Sequence, residues 1–235
     1  MKTIGMLGGK TYHSTLLYYQ QINAHIQRAK GGSNAASLIM HSFNFAETAA
    51  LFGGNKWDEV TAKFTAAAKH MKAAGAQGLV IGCNIGHRVA SEVEAGAGLP
   101  VLHIAEYTAR AVKARGLSKV ALLATRSAME GDFIKTPLLE QAGAEILVPS
   151  TEDMATIDKA IFNELSIGVV SDETKTFLGR VAHDLVEQGA EGVILACTDL
   201  QFVLKPEHFS VPLLDTLELH AEGIAEWALD DGPSS

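Results

Sequence analysis

The chain has two cysteines, Cys83 and Cys197, and each closes the same local pattern. One copy reads Gly75-Ala76-Gln77-Gly78-Leu79-Val80-Ile81-Gly82-Cys83-Asn84, the other Gly189-Ala190-Glu191-Gly192-Val193-Ile194-Leu195-Ala196-Cys197-Thr198. They lie 114 residues apart (83 to 197), close to half of the 235-residue chain. Two further segments repeat at nearly that distance. Thr3-Ile4-Gly5-Met6-Leu7-Gly8 matches Lys119-Val120-Ala121-Leu122-Leu123-Ala124, and Leu99-Pro100-Val101-Leu102-His103 matches Val211-Pro212-Leu213-Leu214-Asp215. Two halves related by a pseudo-twofold axis would offer one thiol each, from opposite sides, to a ligand bound between them. A facing acid/base pair is what interconversion of mirror-image molecules requires. A lone cysteine after an apolar strand is ordinarily a small buried hydrophobe; a symmetric pair favours function.

The elements that must position these thiols alternate short apolar runs with longer amphipathic ones. Runs at 2–7, 36–41, 78–82, 100–103, 119–124, 145–148, 192–196 and 211–214 predict buried parallel strands. Helical patterns such as 58–74 and 172–188 lie between them, each closed by a glycine. The fold class is therefore α/β, with two pseudo-symmetric domains of about four parallel strands each, flanked by helices. The expected division is 1–105 and 106–214, with a final helix over 215–230 packing back on the first domain. Ligands of open α/β sheets bind beyond the carboxyl ends of the strands, where both cysteines fall. Asn84 and Thr198 follow them as expected helix N-caps. A thiol at a helix N-terminus is favoured as thiolate, and the same amides suit a carboxylate.

Gly5-Met6-Leu7-Gly8-Gly9-Lys10-Thr11 suggests a phosphate loop, but the glycine such a loop needs is replaced by Ile4,. The glycines instead let backbone amides approach a small anion, with Lys10 and His13 in the same loop. His87, four residues after Cys83, is placed to stabilise a thiolate, to touch substrate or to serve only as a satisfied buried ring. No Cys-x-x-Cys pair or regular histidine spacing suggests zinc, so no metal is expected. A net charge of −8 argues against nucleic-acid or membrane-surface partners. The apolar runs are too short to span a bilayer. With two cysteines and no export signal at Met1-Lys2-Thr3-Ile4, the expected compartment is a reducing cytoplasm. The tail 230–235 reads as disordered.

These residues resemble the aspartate/glutamate racemase family almost end to end. The resemblance is carried by Ile4-Gly5-Met6-Leu7-Gly8-Gly9, Cys83-Asn84-Ile85-Gly86-His87, Leu122-Leu123-Ala124-Thr125, Ala160-Ile161-Phe162-Asn163-Glu164-Leu165, Cys197-Thr198-Asp199 and Pro212-Leu213-Leu214-Asp215-Thr216. Within the family, the chain is most similar to bacterial aspartate and broad-specificity amino-acid racemases. The resemblance implies a racemase without pyridoxal phosphate, any other cofactor or a metal. One cysteine as thiolate would remove the α-proton and the other as thiol would return one. It further implies that Asn84 and Thr198 hold the α-amino and α-carboxylate groups, with Gly9, Lys10, Ile85, Thr125 and Asp199 at the substrate, and that the protein is a homodimer.

Several positions depart from the family pattern. Ile85 stands where threonine is usual, Asp199 where glutamate is usual, and Lys10 where methionine is usual. The basic residues that aspartate-specific members share are absent, with Ser166 at one position and Phe43-Asn44-Phe45-Ala46 supplying no arginine. Lys10 could replace one of them. Two other readings remain open here: cis-trans isomerisation of a dicarboxylate such as maleate, and a non-catalytic protein that binds a small carboxylate. Arylmalonate decarboxylases share the fold but use one cysteine.

Overall fold

The computed structural model describes residues 1–230. Of the expected disordered tail, 231–235 lie outside the described residues, whereas Asp230 still donates its N–H to Glu226 O. The chain divides into two compact units, Met1–His103 with the chain from His220 onward, and Ile104–Leu219.

The first unit is built on a parallel sheet of β1 (Ile4–Gly8), β2 (Leu38–Ser42) and β3 (Gly78–Ile81) in the order β2-β1-β3. Around it lie α1 (Tyr12–Lys30), α2 (Phe45–Gly53), α3 (Trp57–Ala73) and α4 (Ala90–Ala97). β1 and β3 are buried throughout, which is why they read as unbroken apolar runs; β2, at the edge, is half exposed,. α1 presents Tyr18, Ile22 and Ile26 to the interior at four-residue spacing, and Thr11 caps it by accepting from the Ser14 N–H,.

The expected fourth strand over 100–103 is reduced to one rung. Val101 bridges Leu79 alone, with Leu79 N–H donating to Pro100 O and Leu102 N–H to Leu79 O. Pro100 has no N–H to extend the ladder backward, and α5 (Ile104–Ala114) begins too soon to extend it forward.

In the second unit β4 (Lys119–Ala124), β5 (Glu145–Leu147), β6 (Val193–Ala196) and β7 (Leu213–Asp215) form a four-stranded parallel sheet in the order β5-β4-β6-β7. α6 (Arg126–Glu130), α7 (Asp132–Pro137), α8 (Thr151–Asn163) and α9 (Asp172–Glu187) accompany it, and α10 (Thr216–Leu229) follows β7. The centre of its core is Val120–Ala124 and Val193–Ala196, all buried. Among the described residues no helix is long and apolar enough to cross a membrane.

The sequence repeat reappears in the pairing register. Leu7 pairs with Ile81 and Leu123 with Leu195; Leu79 pairs with Val101 and Val193 with Leu213. Each pair maps onto its counterpart through the repeat. Even the clamp at the strand entrance is shared: Gln77 Oε1 accepts from Thr3 N–H, and the Glu191 carboxylate accepts from Ser118 and Lys119 N–H. Gln77 N–H donates to Thr3 O and Glu191 N–H to Lys119 O, both at 2.8 Å.

Two glycines are required by geometry. At Gly78 a Cβ would lie 2.5 Å from the Trp227 ring, so its absence lets α10 pack against β3. At Gly9, φ is +79° and a Cβ would overlap the Phe43 carbonyl. Gly9→Ala is expected to cost about 3 kcal/mol or more from left-handed backbone plus overlap, read as a lowered urea midpoint; an unchanged midpoint would contradict it.

Candidate active site

Each thiol follows the strand that pairs with the first strand of its sheet. Cys83 stands two residues beyond β3, in a tight turn where its N–H donates to Ile81 O at 2.8 Å; Cys197 follows β6 directly. Both are buried and neither is in a disulfide. What comes next differs from the sequence expectation. Short 3-10 helices follow, Ile85–Val89 and Leu200–Phe202, the first continuing into α4. Asn84 has α-helical backbone (φ −62°, ψ −50°) and makes no capping hydrogen bond. An N-cap needs extended backbone for its side chain to turn back onto the following amides. In the second unit the cap position falls on Asp199 rather than Thr198, again without a side-chain cap. The three-residue helix Leu200–Phe202 lacks the long dipole expected to act on the Cys197 thiol,.

The side chains of the capping expectation are therefore free of that duty yet still buried. Asn84 is 3% exposed, Thr198 3% and Asp199 4%. Ile85 is half-buried. Thr125, at the end of β4, is also buried, and its hydroxyl has no hydrogen-bond partner. It holds the N-cap position of α6 without a capping bond. A sequestered, unsatisfied hydroxyl is uncommon and costly, and it would be relieved by a polar ligand. The Gly9 N–H is already engaged, donating to Thr15 Oγ1 at 2.8 Å. Ser166 Oγ donates to Phe162 O, a local bond that spends its hydroxyl within its own turn.

Lys10 is buried at 4% exposure. Its Nζ donates to Leu7 O at 2.7 Å and lies 4.5 Å from the centre of the Phe64 ring and 5.3 Å from that of Phe43. Burial lowers its pKa to about 8, against an upward pull from the charge of Cys83.

His87 is fully interior. Its Nε2 lies 3.1 Å from Ile81 O. A carbonyl only accepts, so Nε2 carries the proton and Nδ1 is the bare acceptor; Nδ1 has no hydrogen-bond partner. The ring packs edge-on against His103 at 4.6 Å and His220 at 5.5 Å. Burial, then the neighbouring His103 and His220, hold its pKa well below the usual range. His87 is neutral and offers a thiolate no positive charge. His220 donates from Nε2 to Leu102 O at 2.8 Å and accepts at Nδ1 from the Tyr18 hydroxyl at 2.9 Å. This buried polar cluster was not visible in the sequence, because its members stand at 18, 87, 103 and 220. Among the described residues no group of three or more acidic, histidine or cysteine side chains could hold a metal ion.

Each of the two α/β units, built on one pairing register, ends a strand in a buried thiol beside buried polar groups. The chain belongs to the Asp/Glu/hydantoin racemase family, whose model matches residues 7–224; it is thus an isomerase. It is 36% identical to a candidate Asp/Glu racemase of Yersinia pestis, covering 98% of this chain and 100% of that one with a TM-score of 0.90. An aspartate racemase homologue of Pyrococcus horikoshii OT3 is 33% identical, with 97% and 99% coverage and a TM-score of 0.80. The broad specificity amino-acid racemase RacX of Bacillus subtilis is 22% identical over 218 residues, 91% of this chain and 92% of its own length.

Proposed function

We propose that the protein racemises a free amino acid with its own two thiols and no cofactor. The observation that carries this reading is the recurrence of a buried thiol at the same register position in both units. In one direction a thiolate takes the α-proton: the Cα–H bond breaks, an S–H bond forms, and the electron pair is left on a carbanion stabilised by the adjacent carboxylate. The second thiol then gives its proton to the opposite face, so its S–H bond breaks and a new Cα–H bond forms. The two sulfurs have exchanged protonation states, and the reverse reaction restores them. Asn84 and Thr198 are assigned to the α-amino and α-carboxylate groups. Thr125 supplies its unpartnered hydroxyl, and Gly9, Ile85 and Asp199 complete the contacts. Exclusion of water strengthens each of these on the developing negative charge.

Aspartate and glutamate are the first candidates, and RacX, a broad-specificity racemase, motivates a wider panel. Assembly as a homodimer belongs to the same proposal and is read by sedimentation equilibrium. The test is proton NMR of L- and D-amino acids in D2O with the protein present. Loss of the α-proton signal, with the enantiomer appearing on chiral chromatography, is expected for at least one amino acid. An intact α-proton across the panel, with both thiols reduced, would overturn the reading. Maleate is included, since its conversion to fumarate would assign a dicarboxylate isomerase instead.

A further inference from the structure

The proton-transfer scheme leaves one buried charge without a task. Lys10 is held by Leu7 O and two phenyl rings, and it forms no ion pair with a carboxylate among the described residues. The charged groups around it include Glu47, an anion already paired with Lys63 at 2.6 Å. Lys63 lies over the Phe43 ring at 5.8 Å, His41 packs on the same ring, and His70 lies near His41. His87, within reach of the Lys10 charge, is neutral. The Lys10 charge is felt by both His41 and His87. An ammonium this deep without an anion is strongly disfavoured.

One group able to become an anion, the Cys83 thiol, borders the same ring and acts electrostatically on Lys10. On Gly86 an added Cβ would lie 3.0 Å from Cys83 Sγ and 3.2 Å from Phe64 Cε2. The sulfur and the edge of the Phe64 ring therefore border the same point, and the Lys10 ammonium rests on that ring. We propose that Lys10 is the counter-ion of the Cys83 thiolate, a positioning residue that makes Cys83 the proton-accepting thiol at rest while Cys197 carries the proton. The second clause rests on the racemase reading; the ion pair does not. The assignment moves Lys10 from a substrate carboxylate, its expected partner in the sequence, to the thiol. It also gives a physical consequence to the exchange of the family's methionine for lysine.

The test is a pH titration of thiolate absorbance at 240 nm in the Cys197→Ser protein, with the Cys83→Ser/Cys197→Ser protein as blank. An ordinary cysteine titrates near 8.5, a buried one higher, and an adjacent cation lowers it by roughly one to three pH units. With Lys10 present the midpoint is expected at about 7 or below. Lys10→Met is expected to raise it above about 8.5, lowering the thiolate fraction at pH 7 at least about tenfold, whereas Lys10→Arg keeps it low. A midpoint of 8.5 or higher with Lys10 in place would overturn the proposal even if neither variant folds. So would an unchanged midpoint in a folded Lys10→Met protein. Because the titration needs no turnover, it stands apart from the amino-acid panel. A silent panel with a low, Lys10-dependent midpoint removes the racemase and keeps the ion pair.

Discussion

Cys83→Ala and Cys197→Ala should each lower racemisation in both directions by about a thousandfold or more. A positioned acid or base contributes about 10²–10⁴ in rate. Here removal and return of the proton are consecutive and both obligatory, so losing either sulfur stops the cycle. For the same reason the double variant should be little worse than either single one, as for residues that act as one unit. Folding should survive: each side chain is small, and circular dichroism should match the parent. Initial rates from both enantiomers, followed by chiral chromatography, check this. A single variant that keeps full turnover both ways would remove its cysteine from the chemistry.

Acidification should weaken the protein well before its carboxylates titrate in the usual range. His87 and His220 are buried, and burial holds both below their ordinary pKa, His220 to about 3. Each donates Nε2–H to a carbonyl, a bond that favours the charged ring but is outweighed by burial. In the unfolded chain each takes a proton near pH 6.5. The folded pKa lies below the unfolded one, so this stability is fully present above pH 6.5 and is lost as pH falls toward the folded value. Between pH 6.5 and 5 each ring loses about 2 kcal/mol. His103 shifts the same way, again chiefly by burial. Asp215 opposes them, because burial raises its carboxyl to about 6; its folded form binds a proton first and returns about 1 kcal/mol by pH 5. The net loss is about 3 kcal/mol, expected as a lower urea midpoint at pH 5.0 than at pH 7.5. Equal midpoints would show that the cluster is hydrated or already charged.

The fold was largely legible because parallel strands buried on both faces leave unbroken apolar runs, and because duplication wrote them twice. The repeat aligned in sequence is the one found in the pairing of Leu7 with Ile81 and of Leu123 with Leu195. The strand expected at 100–103 failed where Pro100 and the early start of α5 left a single rung. Both cysteines were legible through their scarcity and symmetry. The backbone after them was not: a capping residue type says little when the turn that follows is 3-10 and the residue already has helical φ and ψ. Lys10, in the loop beside two glycines, was expected at the substrate. Only packing against Phe43 and Phe64, residues more than thirty positions away, reveals it as buried. The Tyr18–His87–His103–His220 cluster has no local signature, since it is assembled by topology alone.

Deuterium placement during the first few per cent of racemisation in D2O tests the two-thiol account most directly. Each enantiomer is started separately, and both the remaining substrate and the new product are examined for α-deuterium. If one thiol removes the proton and the other delivers a solvent-derived one, product carries deuterium from the start while recovered substrate keeps its α-proton. That result is expected from either enantiomer. Deuterium appearing in recovered substrate as fast as in product would mean that a single group both takes and returns the proton, and would contradict the account.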